Sequence, residues 1–183
     1  MSLQKTFVPL DKKNHDRESF DCDEDELNNF IRTLAAKHME VGVSTTRLLP
    51  SLKPLANGKF SIGAFFTVAP GSIARSDLPQ EFATRLPHYP IPVFLLAQLA
   101  VDRSYKGQGI GKVTLIAALE FLFKVNQHMA AYAVIVDCIN SGAESFYLKF
   151  GFEELCKYNG RTRMFLPMKT IEQLFKCTSS DLS

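Results

Sequence analysis

The sequence is poor in cysteine and histidine, nearly balanced in charge, and without an apolar run of membrane length. Its four cysteines, Cys22, Cys138, Cys156 and Cys177, include no CxxC pair. Disulfide frameworks belong to short secreted chains, so reduced thiols in a cytoplasmic protein are expected. The four histidines, His15, His38, His88 and His128, show neither HxxxH nor HxxxxH spacing, and no metal site is expected. Against 21 Lys+Arg stand 19 Asp+Glu, a net charge of +2. That is not the composition of a dedicated nucleic-acid binder, although a local basic patch fits within it. No apolar stretch approaches the roughly 18–20 residues of a membrane span. No apolar h-region follows Met1-Ser2-Leu3-Gln4-Lys5, so no signal peptide is expected. Repeats, low-complexity tracts and linkers are also missing.

What is present reads as one globular domain over residues 1–183. Of these 183 residues 46% are apolar and 22% charged. A chain of this length buries about 70% of its unfolded surface and needs no disulfide or metal staple. Lys5 to Leu10 reads as a first strand. Asp21-Cys-Asp-Glu24 has the form of a capping box. Leu27, Phe30, Ile31, Leu34 and Ala35 follow at helical spacing, which predicts a helix to about Val41. Thr45–Leu52 and Phe60–Val68 are strand-like, with the hairpin signal Asn57-Gly58 between them. Gly71–Pro87 reads as a loop with a short helix near Gln80–Arg85. Pro90–Val101 suits a strand buried on both faces. Leu115, Ile116, Leu119, Leu122 and Phe123 mark a helix apolar over most of its circumference, hence a core helix. Tyr132–Asp137 is a second buried strand. A short helix carries Ala143, Phe146, Tyr147 and Phe150 and ends at Gly151. Phe152–Leu155 and Arg163–Met168 close the sheet, and Ile171–Lys176 forms a last helical turn. The order predicts a mixed α/β sheet with helices on both faces.

The most informative segment is Val101–Lys112. A buried strand feeds a loop with Gly107, Gly109 and Gly111, and a long helix starts there. Closely spaced glycines let the backbone turn tightly and approach a ligand without a Cβ in the way. Free N–H groups and the positive end of the helix dipole then favour an anion. Lys106 and Lys112 add charge, so a phosphate-bearing cofactor is the natural ligand. A P-loop, GxxxxGK(S/T), fails twice: Lys106 stands at its first glycine and Val113 at its hydroxyl. The dinucleotide fingerprint GxGxxG fails because Gly111 comes one position early.

Lys106-Gly-Gln-Gly109-Ile-Gly111 resembles the pyrophosphate loop (Q/R)xxGx(G/A) of the GNAT acetyltransferase superfamily, with Lys106 at the Gln/Arg position. Further on, Ala143-Glu-Ser-Phe146-Tyr147-Leu-Lys-Phe150-Gly151-Phe152 is similar to its A..FY...GF segment. The resemblance implies a single domain with a V-splayed mixed sheet that holds acetyl-CoA in the split, the cofactor-binding core lying at about 90–155. It implies pantetheine hydrogen-bonded to the backbone of Leu99 and Val101, and an N–H near Leu99 or Ala100 polarising the thioester carbonyl. The pyrophosphate would sit on Lys106, Gly107, Gln108, Gly109, Ile110, Gly111 and Lys112, with Asn140 pointing towards the cofactor. Tyr147 would be the catalytic acid that protonates the departing thiolate.

A narrower resemblance runs through Phe20-Asp-Cys22 with Leu27 and Phe30, then Leu86-Pro-His-Tyr-Pro90-Ile-Pro-Val93 into Leu99-Ala-Val-Asp-Arg-Ser104. It is similar to the acetyltransferase toxins of type II toxin–antitoxin pairs. This implies acetylation of the α-amino group of aminoacyl-tRNA, a block on translation, and neutralisation by a ribbon-helix-helix antitoxin; a homodimer is compatible with it. Gln98 stands where these toxins usually carry Arg, and Asp23 where they usually carry Gly after the Cys. An acetyltransferase for a small-molecule, polyamine or protein amine, and a non-catalytic acyl-CoA-binding module, are the alternatives.

Plainer roles stand beside these. Asn140 also suits a cap for the helix that follows. Cys138 reads as a small buried apolar residue, not a nucleophile. Asp23-Glu-Asp-Glu26 suits a dipole-favoured first helical turn. Arg47, Lys53, Lys59, Arg75, Arg85, His88, Arg161 and Arg163 are candidates for an RNA groove or a solvated face. Glu120 and Glu144 are candidate bases with nothing in the sequence to tie them to an acceptor amine.

Overall fold

The structure, a computed structural model, describes residues 2–180, with side chains through Lys176. The chain divides into two compact units, Met1–Ala69 with Ala97–Ala118, and Pro70–Leu96 with Leu119–Ser183. The residue ranges of β4 (Phe60–Ile73), β5 (Ile91–Val101) and α4 (Ile110–Asn126) contribute to both.

In the first unit, β1 (Val8–Pro9) pairs antiparallel with β3 (Thr45–Pro50), and β3 pairs antiparallel with β4. β2 (His15–Asp16) adds to β4 in parallel. The predicted first strand is therefore two residues long, whereas β4 runs beyond Val68 to Ile73. At Asn57-Gly58 only Gly58 turns left-handed, with φ 79°. Asn57 instead accepts the Lys59 N–H on its side chain, the local competition with backbone pairing that Asn favours in turns. The core gathers Phe20, Phe30, Ile31, Leu48, Ile62 and Phe65. Phe20 meets the Phe65 ring edge-on at 5.3 Å between centroids.

The helix predicted from Asp21 starts later and is not continuous. It comprises α1 (Asp25–Asn29), a π turn over Phe30–Leu34 and α2 (Ala35–Glu40). Asp21 does not cap it: the N-cap is Glu24, without a side-chain cap bond. Asp23 intervenes at φ 65°, a left-handed residue that no helix can include, so the helix cannot begin at Asp21. Asp25 and Glu26 do occupy the first turn, where the dipole favours them. The π turn absorbs an extra residue, which leaves Leu34 outside the buried face at 37% exposure.

In the second unit β5 pairs in parallel with β6 (Ala133–Cys138), through Phe94 with Val134 and Leu95 with Ile135. β6 pairs antiparallel with β8 (Arg161–Pro167), and β8 with β7 (Glu153–Tyr158). Parallel and antiparallel ladders together make the sheet mixed, as expected. The β7–β8 turn is Asn159-Gly160, both left-handed at φ 49° and 77°, the geometry a tight hairpin with matching twist demands. Ile91, Val93, Ile135 and Phe165 form the core. Short α3 (Gln80–Ala83) lays Phe82 edge-on against Phe165 at 5.4 Å. α5 (Ser141–Leu148) ends in a turn closed by Gly151 at φ 84°, and α6 (Met168–Ser180) is longer than the single turn predicted.

Two burial expectations need correction. β5 is buried at Ile91, Val93, Phe94 and Leu96 but only half-buried over Ala97–Leu99. Its hydrophobicity exceeds what packing covers there. α4 buries Leu115, Ala118, Leu119 and Leu122, yet Val113 and Ile116 stay 48% and 41% exposed. It is a half-buried helix whose outer face carries Val113 and Ile116 beside Lys112 and Lys124.

Candidate active site

In the first unit, β5 delivers Leu99, Ala100 and Val101 to the loop. Ala100 is buried at 4% exposure, and its two neighbours are half-buried. A 3-10 turn, Arg103–Tyr105, follows. Asp102 caps it by accepting the Ser104 N–H at 2.9 Å. The same carboxylate accepts the Asp21 N–H at 3.1 Å, and the Arg103 N–H returns a bond to the Asp21 carbonyl at 2.8 Å. Asp21 in turn accepts from Asn28 Nδ2 at 2.9 Å and from the Asp23 N–H at 3.0 Å. The Asp23 N–H, then Asn28, holds the Asp21 carboxyl below the usual carboxylate range, because hydrogen bonds to the charged form favour it.

The glycine loop lies on this platform. Gly107 and Gly109 are left-handed, at φ 74° and 76°. A Cβ at either would meet nothing within 4 Å, so glycine is required by backbone conformation and not by crowding. α4 begins at Ile110, and Val113 donates to the Gly109 carbonyl at 3.2 Å. The N–H groups of Ile110, Gly111 and Lys112 precede any intrahelical acceptor. With the helix dipole they present the donors and the positive potential that suit an anion. Gln108 turns its amide back onto the Ser104 carbonyl at 3.1 Å. Lys106 is engaged as well: its ammonium donates to the Cys22 carbonyl at 2.8 Å and to the Asp23 carboxylate at 2.6 Å.

In the second unit, Tyr147 lies on α5 at 8% exposure. Its ring meets Phe146 and Phe152 edge-on, each at 5.2 Å. Burial first, and the neighbouring Cys138 second, push the phenol well above its ordinary value. It is a protonated donor at neutral pH. Cys138 is buried and its thiol is pushed up to about 11, mainly by burial, which suits the inert apolar residue predicted and not a nucleophile. Asn140 caps α5, its side-chain oxygen accepting the Ala143 N–H at 2.9 Å.

Neither candidate base is idle. Glu120 pairs with Lys124 at 2.6 Å. Glu144 accepts from the Thr162 hydroxyl, and Thr162 accepts from Lys157. Of the basic candidates, Arg163 does not face an RNA: it is buried at 8% exposure. Asp137 holds its guanidinium in a fork at 2.6 and 2.7 Å, and Tyr158 lies 3.6 Å beneath it. Arg47 is turned onto the Phe7 carbonyl, and Arg75 onto His88 and the Ala83 carbonyl. Lys53 and Lys59 belong to the first unit, Arg85 and Arg161 to the second. No group of three or more His, Cys, Asp or Glu residues suited to a metal occurs among the described residues. None of their helices is long and apolar enough to cross a membrane.

The predicted donor-site residues from Leu99 to Lys112 thus lie on one continuous stretch, from the end of β5 through the loop to the first turn of α4, whereas Asn140 and Tyr147 lie together on α5 and its cap. The platform of Asp21, Asp23 and Asp102 escaped the sequence reading. Asp102-Arg-Ser104, an aspartate two residues before the N–H it accepts, is the local signal that identifies part of it.

A model of the acetyltransferase (GNAT) family matches residues 82–152. A probable toxin TacT of Sinorhizobium fredii is 30% identical over 186 residues, covering 94% of this chain and 96% of its own. A tRNA-acetylating toxin of Mycobacterium tuberculosis is 31% identical over 136 residues, 74% of this chain and 76% of its own. Among solved structures, AtaT complexed with acetyl-methionyl-tRNAfMet matches with a TM-score of 0.82 at 27% identity, over 93% of this chain and 98% of that one. AtaTR bound with AcCoA matches with a TM-score of 0.79 at 27% identity, over 93% and 97%.

Proposed function

The chain belongs to the GNAT acetyltransferase family, and we propose that it transfers acetyl from acetyl-CoA to the α-amino group of an aminoacyl-tRNA, as a translation-blocking toxin held by a ribbon-helix-helix antitoxin. The observation that carries this is the loop before α4, left-handed at Gly107 and Gly109 with three unpartnered N–H groups behind it. Similarity to a probable toxin along 94% of the chain supports the biology, and similarity to a tRNA-acetylating toxin and to AtaT complexed with acetyl-methionyl-tRNAfMet supports the acceptor. Action on charged tRNA makes the cytoplasm its compartment.

In this mechanism Lys106 to Lys112 hold the pyrophosphate and the backbone of Leu99 and Val101 holds pantetheine. An N–H near Leu99 or Ala100 stabilises the oxyanion that forms when the amine attacks the thioester. Collapse of that adduct breaks the C–S bond. Tyr147 gives its proton to the leaving thiolate, and the proton lost by the amine nitrogen restores the phenol through solvent. Asn140 contributes by fixing the start of the helix that presents Tyr147. Much of the rate comes from holding amine against thioester.

The test uses radiolabelled acetyl-CoA with a charged tRNA pool, and the same pool deacylated. Label on the charged pool alone, reduced about 10²–10⁴-fold in Tyr147→Phe, is the expected result. Label on neither pool, with CoA released when small amines are added, would leave an acetyltransferase and remove the tRNA substrate.

A further inference from the structure

We propose that Asp23 is a built-in counter-ion for Lys106, competing with the pyrophosphate of acetyl-CoA and so setting the affinity of the loop for its ligand. The proposal rests on the acetyl-CoA reading above and concerns a residue outside the glycine loop.

The first observation is conformational. Among the described residues, Asp23 and Asn159 are the non-glycines with positive φ. Asn159 is accounted for by the two-residue hairpin in which it sits. Asp23 sits at the bend before the Glu24 N-cap, its N–H held by the Asp21 side chain, and there a left-handed L-residue costs stability that glycine would not. What an aspartate brings there is its carboxylate, and that carboxylate meets Lys106 at 2.6 Å.

The second observation is that both partners stand on a fixed base. Asp21 accepts the Asp23 N–H, and Asp21 is bonded through its own backbone to Asp102 and Arg103, at the foot of the loop. The Cys22 carbonyl, next to Asp23, takes a second N–H of Lys106. An ammonium has three N–H donors, so one is left to face an incoming anion. The carboxylate therefore stands on a fixed backbone beside the ammonium, although the pair itself is solvated. It consumes donor capacity and places a negative charge beside the loop meant for phosphate.

The third observation is exposure. The two side chains are 50% and 54% exposed. A solvated ion pair is weak and exchangeable, so a pyrophosphate arriving from solvent displaces it instead of being excluded. Asp23 then acts as a modest brake on binding. Its removal should tighten coenzyme A binding by about two- to fivefold, the range an exposed pair commands.

The experiment is a calorimetric titration of the full chain with coenzyme A, without acceptor. It compares wild type, Asp23→Asn, Asp23→Gly, Lys106→Gln and the Asp23→Asn/Lys106→Gln pair. Expected is tighter binding in both Asp23 variants, with Asp23→Gly also relieved of backbone strain, and no gain from Asp23→Asn once Lys106 is glutamine. A purely structural role for Asp23 would weaken binding or leave it unchanged, and either result overturns the proposal. An equal gain in the Lys106→Gln background also overturns it, since the effect would then be general charge removal. Failure of the wild type itself to bind coenzyme A would overturn the functional reading, which separates the two failures.

Discussion

Arg163→Met tests how much of the second unit depends on one buried ion pair. The guanidinium, 8% exposed, donates Nε and Nη2 to the two oxygens of Asp137 at 2.6 and 2.7 Å. Asp137, in turn, is on β6 opposite Arg163 on β8 in the ladder. Hydrogen bonds between charged partners contribute about 1.5–3 kcal/mol each. The stack on Tyr158, 46% exposed, adds about 0.5–1 kcal/mol. Methionine keeps the apolar stem and removes the donors, leaving the carboxylate without its partner. The loss should be roughly 3–5 kcal/mol, the usual cost of breaking rather than replacing a buried pair. Since a chain of this size shifts by about 2–4 °C per kcal/mol, Tm should fall by about 6–20 °C. The assay is urea and thermal unfolding followed by far-ultraviolet circular dichroism. Asp137→Leu in the same chain should recover at least half of the loss, because it removes the stranded charge. A single variant within about 1 kcal/mol of wild type would refute the reasoning, as would a double variant no better than the single one.

Gly107→Ala and Gly109→Ala should each cost about 1–2 kcal/mol locally through left-handed backbone alone, because no neighbour obstructs the added Cβ. The KM for acetyl-CoA should rise in both, and an unchanged KM would show that the left-handed turn is not needed for the donor. Stability should also decline as pH rises from 9 to about 11. The Cys138 thiol is raised from 9.0 to about 11 by burial, so the unfolded chain releases this proton first and gains on the native state with rising pH. Cys138→Ala should flatten that part of the stability curve, and identical slopes in both proteins would count against a buried neutral thiol.

Local chemistry made much of the architecture legible. The glycines of the loop, the periodic apolar helix behind it and the run of β5 are short-range signals, and the loop and helix occur where the spacing places them. Gly151 ends α5 for the same reason: one residue must turn left-handed, and glycine does so at no steric cost. The capping box at Asp21 misled because capping needs helical backbone to follow, and Asp23 is left-handed. The Asn159-Gly160 hairpin was equally readable but went unread, being hidden between two segments of moderate hydrophobicity.

The candidate site divides along the same line. The sequence by itself determined the left-handed turn ahead of α4, because Gly107, Gly109 and the start of α4 are neighbours in the chain and their geometry is local. It also determined that Asn140 could cap α5, a matter of three residues. Only the tertiary structure decided where the charges went. Lys106 meets Asp23 across 83 positions, and Arg163 meets Asp137 across 26. The upward shift of the Tyr147 phenol belongs to this second class, since it follows from the packing that excludes water from it. Backbone conformation is set by near neighbours, whereas pairing and desolvation depend on what folding brings close, and spacing along the chain does not record that.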